Sequence, residues 1–186
     1  MPSNPQKKQV HIREANIGDA ESIAQVRVDS WRTTYRGLLE DEYLENMTPD
    51  QYVHMWRNII ASGGTQGYPY VAENSSGCIV GFALGGTDRN GSQVYDAELY
   101  AIYLLEEFQG QGLGSQLVSR LAQRLLKEGY HSMRVWVLAK NPARAFYESL
   151  GGEYLYQKTI FLGGENYAEA AYGWKDIKTL AARQDS

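Results

Sequence analysis

Apolar and polar residues alternate over several short runs of the chain, and this two-residue period predicts β-strands. The run VHIREA at residues 10–15 predicts the first strand. Apolar runs separated by the turn clusters NSSG and DRNG predict three successive strands of an antiparallel meander; these runs are YPYVAE, CIVGFALGG and VYDAELYAIYLL. Downstream, MRVWVLA predicts one more strand, and EYLYQKTIFL and YAEAAYGWK predict a hairpin that turns at Gly163 and Gly164.

Other segments carry apolar residues three or four positions apart, which is the spacing of one face of a helix. Three residues that favour helix starts stand directly before such segments and are candidate N-caps: Asp19, Thr48 and Asn141. Another of these segments has leucines at four-residue steps from residue 113 to residue 125. Gly129 and Gly151 follow the last two segments, as glycines at helix C-termini commonly do.

The order of these elements predicts a mixed α+β fold, without an internal repeat or a low-complexity linker. A chain of 186 residues is most simply one domain. We expect that domain at residues 10–178, between a disordered N-terminal tail at residues 1–9 and a C-terminal tail at residues 179–186.

Composition and net charge indicate in which cellular compartment the protein works and which kinds of partner it binds. The formal net charge is −4, which disfavours a non-specific nucleic-acid binder, because such proteins usually carry a basic stripe. No apolar run approaches the ~20 residues that span a bilayer, and the N-terminal segment contains no apolar signal-peptide region. The only cysteine, Cys78, cannot form an internal disulfide, which fits a reducing compartment. We therefore expect a cytoplasmic protein that binds neither nucleic acid nor membrane.

The stretch EEFQGQGLGS at residues 106–115 places Gly110, Gly112 and Gly114 directly before the leucine-rich helix. Glycines let a ligand approach the backbone, and the first amides of a helix have no partner within it, so they favour an anion such as a phosphate. A dinucleotide-binding turn needs G-x-G-x-x-G, and a P-loop needs a lysine after its last glycine, so both alternatives fit poorly. The glycines alone also allow the alternative of a tight turn that binds no ligand.

The residues around this loop make the pattern specific. Gln109-x-x-Gly112-x-Gly114 resembles the Q/R-x-x-G-x-G/A signature of the GCN5-related N-acetyltransferase superfamily, and it likewise follows a strand and opens a helix. Downstream, VWVLAKNPARAFYESLGG is similar to the next motif of that superfamily, a strand followed by N-x-A-x-x-F-Y-E-x-x-G. The resemblance covers roughly residues 10–175 and is clearest over residues 98–152.

The resemblance implies a central, mostly antiparallel and strongly twisted sheet of about six to seven strands, flanked by about four to five helices. It also implies acetyl-CoA as co-substrate, with its pyrophosphate on the amides of the glycine loop and its pantetheine along the preceding strand. In that superfamily this strand splays from the next one to admit the cofactor. The implied cofactor-binding residues are Ile102, Tyr103, Leu104, Gln109, Gly110, Gln111, Gly112, Leu113, Gly114, Ser115, Asn141 and Tyr147.

Acetyl transfer to an amine needs a neutral nucleophile, and an amine with a pKa near ~10.4 is almost entirely protonated at neutral pH. A base is therefore useful, as is an acid for the departing thiolate. By resemblance Tyr147 is the acid, and the alternative is that it packs on an apolar helix face. Glu98 is the candidate base because it precedes Gln109 at the distance where the histone-acetyltransferase branch carries its glutamate. The alternative for Glu98 is a strand-edge carboxylate in a salt bridge.

Acceptor pockets in the superfamily are usually built from the first helices and the last strand pair. The aromatic candidates in those segments are Trp31, Tyr35, Tyr167 and Tyr172. An aromatic wall with Glu169 or Glu98 nearby would suit a cationic amine, whereas Trp31 and Tyr35, four residues apart, also fit a core stripe. The expected acceptor is a small-molecule amine or a protein amino group. Dimers are common in the superfamily, so a homodimer is one expectation.

We predict an N-acetyltransferase that works by direct attack in a ternary complex. The alternatives are a non-catalytic module that binds or senses acetyl-CoA, and a nucleotide-binding protein. No metal is expected, because the three histidines lack metal-ligand spacing and no C-x-x-C motif occurs.

Overall fold

The structure is a computed structural model, and it describes residues 9–183. In that part of the chain the strands are β1 (Val10–Glu14), β2 (Tyr68–Asn74), β3 (Ile79–Thr87), β4 (Ala97–Leu104), β5 (Met133–Leu138), β6 (Glu153–Leu162) and β7 (Glu165–Trp174). The helices are α1 (Ala20–Thr34), α2 (Asp41–Glu45), α3 (Asp50–Ala61), α4 (Leu113–Lys127), α5 (Arg144–Ser149) and α6 (Lys178–Ala181). Short 3₁₀ turns occupy Ile17–Asp19 and Glu106–Phe108.

The strands form a single sheet in the order β1-β2-β3-β4-β5-β7-β6. All neighbours are antiparallel except β4 and β5, which are parallel. This confirms the mostly antiparallel α+β fold, the meander of β2, β3 and β4, and the hairpin of β6 and β7. The hairpin folds back so that β7 pairs with β5, and β6 is left at the edge of the sheet.

Strands β4 and β5 separate soon after they begin to pair. Their register contains three pairs, Ala97 with Met133, Glu98 with Arg134, and Leu99 with Val135. The register of β4 against β3 shifts at the same point, because Leu99 opposes Gly85 and Ala101 opposes Leu84, which leaves Tyr100 as an extra residue. A β-bulge of this kind bends its strand and re-aims the side chains beyond it. The two strands therefore diverge into a V-shaped opening.

The two faces of the sheet are covered by different helices. Helix α4 packs its leucines on one face, where Leu117, Leu121 and Leu125 are fully buried, so the predicted apolar stripe is confirmed. Helices α1 and α3 cover the other face, where Trp56 packs edge-on against Phe82 of β3. Full burial of such side chains contributes about 1.5–3 kcal/mol each to folding. Packing on both faces therefore stabilises the sheet that contains the V-shaped opening.

The side-chain caps predicted at Asp19 for α1 and at Thr48 for α3 do not form. Asp19 occupies the N-cap position of α1, but its side chain makes no capping bond there. Its carboxylate instead accepts two hydrogen bonds from Arg13, and Asn16 caps the 3₁₀ turn before α1. Thr48 also makes no side-chain cap, although its N–H donates to the Oε1 atom of Gln51 at 3.1 Å. Only half of a capping box therefore forms at α3.

The chain stays folded beyond residue 178, where the sequence predicts a tail. Helix α6 buries Leu180 completely, and the backbone oxygen of Ala181 accepts hydrogen bonds from Ser119 and Gln123 of α4. Residues 184–186 of the predicted C-terminal tail, and residues 1–8 of the predicted N-terminal tail, lie outside the described residues. Across residues 9–183, every helix is too short or too polar to span a membrane.

Candidate active site

A cavity of about 740 Å³ occupies the opening between β4 and β5. Its walls are the diverging strands, the glycine loop, the N-terminal end of α4, and α5 with the residues just before it. Lining residues include Thr34, Tyr35, Leu99 to Leu104, Gln109, Gly110, Gly112, Gly114, Ser115, Val135 to Val137, Asn141 to Ala143, Phe146, Tyr147, Ser149, Leu150 and Arg183. The sheet order thus brings both sequence motifs to one cavity.

The glycine loop turns into α4 through left-handed backbone. Gly110 has φ of 69° and Gly112 has φ of 82°, conformations that favour glycine. The first bond of the helix is donated by Gln116 N–H to the Gly112 oxygen, so the amides of residues 113–115 have no partner within the helix. The first turn of α4 contains no acidic residue. These amides and the helix dipole suit an anion such as a phosphate.

Gly114 is small for a different reason. A Cβ atom at this position would lie 3.1 Å from the Cζ atom and 3.2 Å from the Cε2 atom of Phe146. The third glycine therefore lets α5 pack against the start of α4, and it does not need a positive φ. This close contact holds the two motif helices together at the mouth of the cavity.

The edge of β4 that faces the cavity offers unpaired backbone groups. Leu105 N–H bonds the Val80 oxygen on β3, and backbone groups of successive strand residues point to opposite sides. The amides of Ile102 and Leu104 therefore face the gap left by β5. The side chain of Gln109 donates to the Leu104 oxygen at 3.0 Å, so the first residue of the motif fixes the loop to this edge.

Ten of the twelve predicted cofactor-binding residues line the cavity, and two do not. The side chain of Gln111 donates to the Glu107 oxygen at 2.9 Å, outside the cavity. Leu113 is buried in the core beneath the helix start. Asn141 lines the cavity while its Oδ1 atom accepts from Ala143 N–H at 2.9 Å, so it caps the turn into α5 from within the wall.

Tyr147 forms part of the cavity wall, and its ring is buried between Phe146, Tyr172 and Trp174. Burial, reinforced by the neighbouring Tyr103, raises the pKa of its hydroxyl well above the usual tyrosine value. The hydroxyl makes no hydrogen bond within residues 9–183, and it is therefore available to a ligand in the cavity. The ring of Tyr147 packs in the core while its hydroxyl is free to bond a ligand, so the packing role and the acid role are compatible.

Glu98 is buried on β4, and its carboxylate is already bonded. It accepts from the Arg89 backbone N–H at 3.2 Å, from the Arg89 guanidinium at 2.5 Å, and from the Asn90 side chain at 3.1 Å. Glu98 is not among the residues that line the cavity. The structure thus forms the ion pair that was the alternative for this residue. Its role as a base stays a prediction.

Three of the four predicted acceptor residues come together beside the cavity. The ring of Trp31 lies 4.7 Å from that of Tyr35 and 6.1 Å from that of Tyr103, measured between centroids. The hydroxyls of Tyr35 and Tyr103 are 3.1 Å apart. Tyr167, like Trp31 and Tyr103, packs against the buried hydrophobic cluster that contains Tyr35. We call Trp31, Tyr35, Tyr103 and Tyr167 the aromatic cluster.

Tyr172 does not belong to the aromatic cluster, and its predicted place in the acceptor pocket is wrong. It lies five positions from Tyr167 on β7, and because this interval is odd, the two side chains project from opposite faces of the sheet. Tyr172 is fully buried in the core under α4. Its hydroxyl donates to Glu148 at 2.7 Å and accepts from Arg144 at 2.8 Å.

An ion pair joins β6 and β7 beside Trp136 of β5. Glu169 lies 3.6 Å from the Lys158 ammonium, which itself sits 3.7 Å above the ring of Trp136. Burial raises the pKa of Glu169, with Lys158 acting in the opposite direction and Glu98 in the same direction. A partly buried carboxylate with a raised pKa is a candidate for binding or deprotonating an amine.

Several lining residues were not predicted from the sequence, and Arg183 and Trp136 are two of them. Arg183 donates to the Ser149 oxygen at 3.2 Å and adds a positive charge at the cavity, although the sequence predicts a tail there. Trp136 lines the wall on β5. Trp136 lies in the strand of the downstream motif, but the motif assigns no role to that position, and Arg183 lies outside both motifs. Within the described residues, no cluster of three or more His, Cys, Asp or Glu side chains is arranged to hold a metal ion.

Known proteins resemble this chain in both sequence and fold. Residues 90–162 match the model of the family described as FR47-like protein. The uncharacterized N-acetyltransferase YuaI of Bacillus subtilis is 38% identical over 171 residues, which cover 92% of this chain and 96% of the relative. The spermidine N(1)-acetyltransferase of Thermoplasma acidophilum is 25% identical over 134 residues, which cover 71% of this chain and 80% of the relative.

One solved structure of the same fold carries a ligand. The PaiA N-acetyltransferase of Thermoplasma acidophilum, solved in complex with coenzyme A, superposes with a TM-score of 0.67 at 22% identity. The alignment covers 87% of this chain and 98% of that protein. At this level of identity the likeness shows a common fold.

Proposed function

This chain belongs to the GCN5-related N-acetyltransferase superfamily and is an N-acetyltransferase, and we propose that it transfers an acetyl group from acetyl-CoA to a primary amine. The amine belongs to a small molecule or to a protein, and it attacks directly in a ternary complex. One observation carries the proposal: a single cavity joins the anion-binding amides of α4, the unpaired edge of β4 and the buried hydroxyl of Tyr147.

Acetyl-CoA would extend along this cavity from the glycine loop to the aromatic cluster. Its pyrophosphate would bind the amides of residues 113–115, since oriented amides at a helix start favour phosphate. Its pantetheine amides would pair with the open edge of β4 at Ile102 and Leu104, as an added strand does. This arrangement directs the thioester toward Tyr147 and the aromatic cluster.

The chemistry requires one proton to leave the amine and one to reach sulfur. The neutral amine attacks the thioester carbonyl carbon, a C–N bond forms, the C–S bond breaks, and the proton lost from nitrogen balances the proton gained by the CoA thiolate. The raised pKa of Tyr147 keeps its hydroxyl protonated. We propose that this hydroxyl donates a hydrogen bond to the departing sulfur as negative charge develops there.

Two carboxylates are candidates for the base. Glu98 would first have to exchange one of its three hydrogen bonds for the amine or for a bridging water. Glu169 would have to exchange its ion pair with Lys158, and it lies on the side of the sheet that carries the aromatic cluster.

Thermal unfolding with and without acetyl-CoA tests the cofactor. Ligand at about 100 times its Kd stabilises the folded state by about 2.7 kcal/mol, or by roughly 5–10 °C for a chain of this size. Release of free thiol with a panel of amines then tests transfer. Binding of acetyl-CoA without thiol release by any amine would support the non-catalytic module, and stronger stabilisation by ATP or NAD would support a nucleotide-binding protein.

A further inference from the structure

Arg27 projects from α1 on the same stripe as two members of the aromatic cluster. Trp31 and Tyr35 follow it at intervals of four residues, so the three side chains share one face of the helix. The guanidinium carbon of Arg27 lies 4.9 Å from the centroid of the Trp31 ring and 4.6 Å from that of Tyr52. Two aromatic rings therefore hold the guanidinium in place beside the cluster.

The charge of Arg27 has no carboxylate partner within residues 9–183. Its Nε atom is buried without a hydrogen bond. Its two terminal nitrogens also make no hydrogen bond, but they are accessible to solvent. Other partly buried arginines of this chain differ, since Arg13 pairs with Asp19 and Arg134 pairs with Asp88. The guanidinium can therefore bind an anion that the described residues do not supply.

Arg27 acts on the residues that line the cavity. Burial raises the pKa values of Tyr35 and Tyr103, and the positive charge of Arg27 opposes that shift at both hydroxyls. Glu169 on β7 acts on Tyr103 in the other direction. Opposite charges on α1 and β7 therefore both act on the Tyr103 hydroxyl of the aromatic cluster. A ligand that carries both an ammonium group and a carboxylate complements this pair of charges.

We propose that Arg27 binds the carboxylate of the acceptor, so that the acceptor is an amine bearing a carboxylate group, as an amino acid does. The amine would lie toward Glu169 and the thioester, and the planar guanidinium would take the carboxylate through paired N–H bonds. A polyamine fits less well, because its cationic chain would meet the unneutralised charge of Arg27. This inference rests on the proposed transfer of acetyl to a primary amine.

Matched acceptors test the inference. Wild type should acetylate L-amino acids better than the corresponding amino-acid amides or decarboxylated amines. Arg27→Met, which keeps most of the aliphatic packing, should lower kcat/KM for the acids by about 10- to 100-fold, which is the size expected for a charged hydrogen bond. The loss should appear mainly in KM, Arg27→Lys should recover part of it, and activity on the amides should hardly change. Arg57→Met removes an exposed arginine that pairs with Glu21, and it serves as the control.

A second measurement does not depend on turnover. With CoA present, N-acetyl-L-amino acids should bind wild type more tightly than their amides by calorimetry, and Arg27→Met should abolish that preference. Equal use of acids, amides and polyamines by wild type would overturn the inference, as would equal losses for all acceptors in Arg27→Met together with a lower Tm. If acetyl-CoA fails to bind wild type, or if no amine releases thiol, the proposed function fails as well. Failure of the inference alone would leave acetyl-CoA binding and transfer intact.

Discussion

The two ends of the cavity are built from different parts of the chain. At the glycine-loop end, the recognition groups are backbone amides from residues 102–115, a continuous segment of β4, loop and α4. At the aromatic end, they are side chains from α1, β4 and β7, so that Trp31, Tyr103 and Tyr167 are each more than sixty positions apart in sequence. A backbone site suits a ligand shared by a whole superfamily, whereas a side-chain site can change with the acceptor.

The largest effect should come from placing a side chain in the backbone site. Gly112→Arg forces an L-residue into φ of 82° and fills the position proposed for the pyrophosphate, so acetyl-CoA should no longer raise the Tm. The matched control is Gly77→Arg in the turn between β2 and β3, where φ is 79°. It carries the same backbone cost, about 1–2 kcal/mol, but should keep the full ligand-induced shift. Loss of the shift in both variants would show that destabilisation, and not the anion site, is responsible.

The next effect should separate chemistry from binding at the junction of the two ends. Tyr147→Phe removes the hydroxyl proposed to stabilise the departing thiolate, and kcat should fall by about 100-fold while acetyl-CoA stabilises the variant as it does wild type. Tyr154→Phe makes the same change at a half-exposed tyrosine of β6 and should leave kcat unaltered. An unchanged kcat in Tyr147→Phe would reduce this tyrosine to a packing residue.

Glu98→Gln asks whether the buried carboxylate serves stability or catalysis. The groups that bond the Glu98 carboxylate are all hydrogen-bond donors. A glutamine side chain would lose the ion pair with Arg89, and its own N–H₂ group would face one of these donors without an acceptor. We expect the free energy of unfolding, measured in urea, to fall by about 1–3 kcal/mol. The kcat at saturating acetyl-CoA should fall less than tenfold. A loss of 100-fold in kcat, accompanied by disappearance of the acidic limb of its pH profile, would instead identify Glu98 as the base.

The contrast between the two ends also explains what the sequence could predict. The strand, the loop and the helix are adjacent in sequence, and eight of the ten cofactor residues predicted in residues 102–115 line the cavity. The other two lining residues, Asn141 and Tyr147, come from the downstream motif. Two details escaped because they depend on distant packing. Gly114 is small because Phe146 approaches it, and the bulge at Tyr100 is visible only in the register of β4 against β3.

The aromatic end of the cavity was predicted less completely, for physical reasons. Tyr172 was the avoidable error, since the alternation of side chains along β7 already separates it from Tyr167. Arg27 gave no usable signal, because an arginine on an amphipathic helix is ordinarily a solvated surface residue. Its meaning depends on the rings of Trp31 and Tyr52 and on the lack of a carboxylate partner within residues 9–183, and these facts emerge only when α1 and α3 pack together.

The smallest predicted effect concerns the carboxylate at the aromatic end. Burial raises the pKa of Glu169, so the folded protein holds this proton more tightly than the unfolded chain does. The carboxylate therefore lowers stability once the pH exceeds the ordinary glutamate value of ~4.3, and the penalty is complete above the raised pKa. Glu169→Gln removes that penalty and should increase the free energy of unfolding at pH 7 by less than about 1 kcal/mol, with the gain vanishing near pH ~4.

Urea denaturation from acidic to neutral pH measures this difference, and Glu165→Gln, at an exposed position of the same strand, is the control. A variant that is less stable than wild type at neutral pH would mean that the ion pair with Lys158 outweighs burial. The aromatic end would then hold a neutralised carboxylate, and Glu169 would be a poor partner for an incoming ammonium group. A gain in stability would instead mark Glu169 as a group kept in a costly environment, which is typical of residues that serve a ligand.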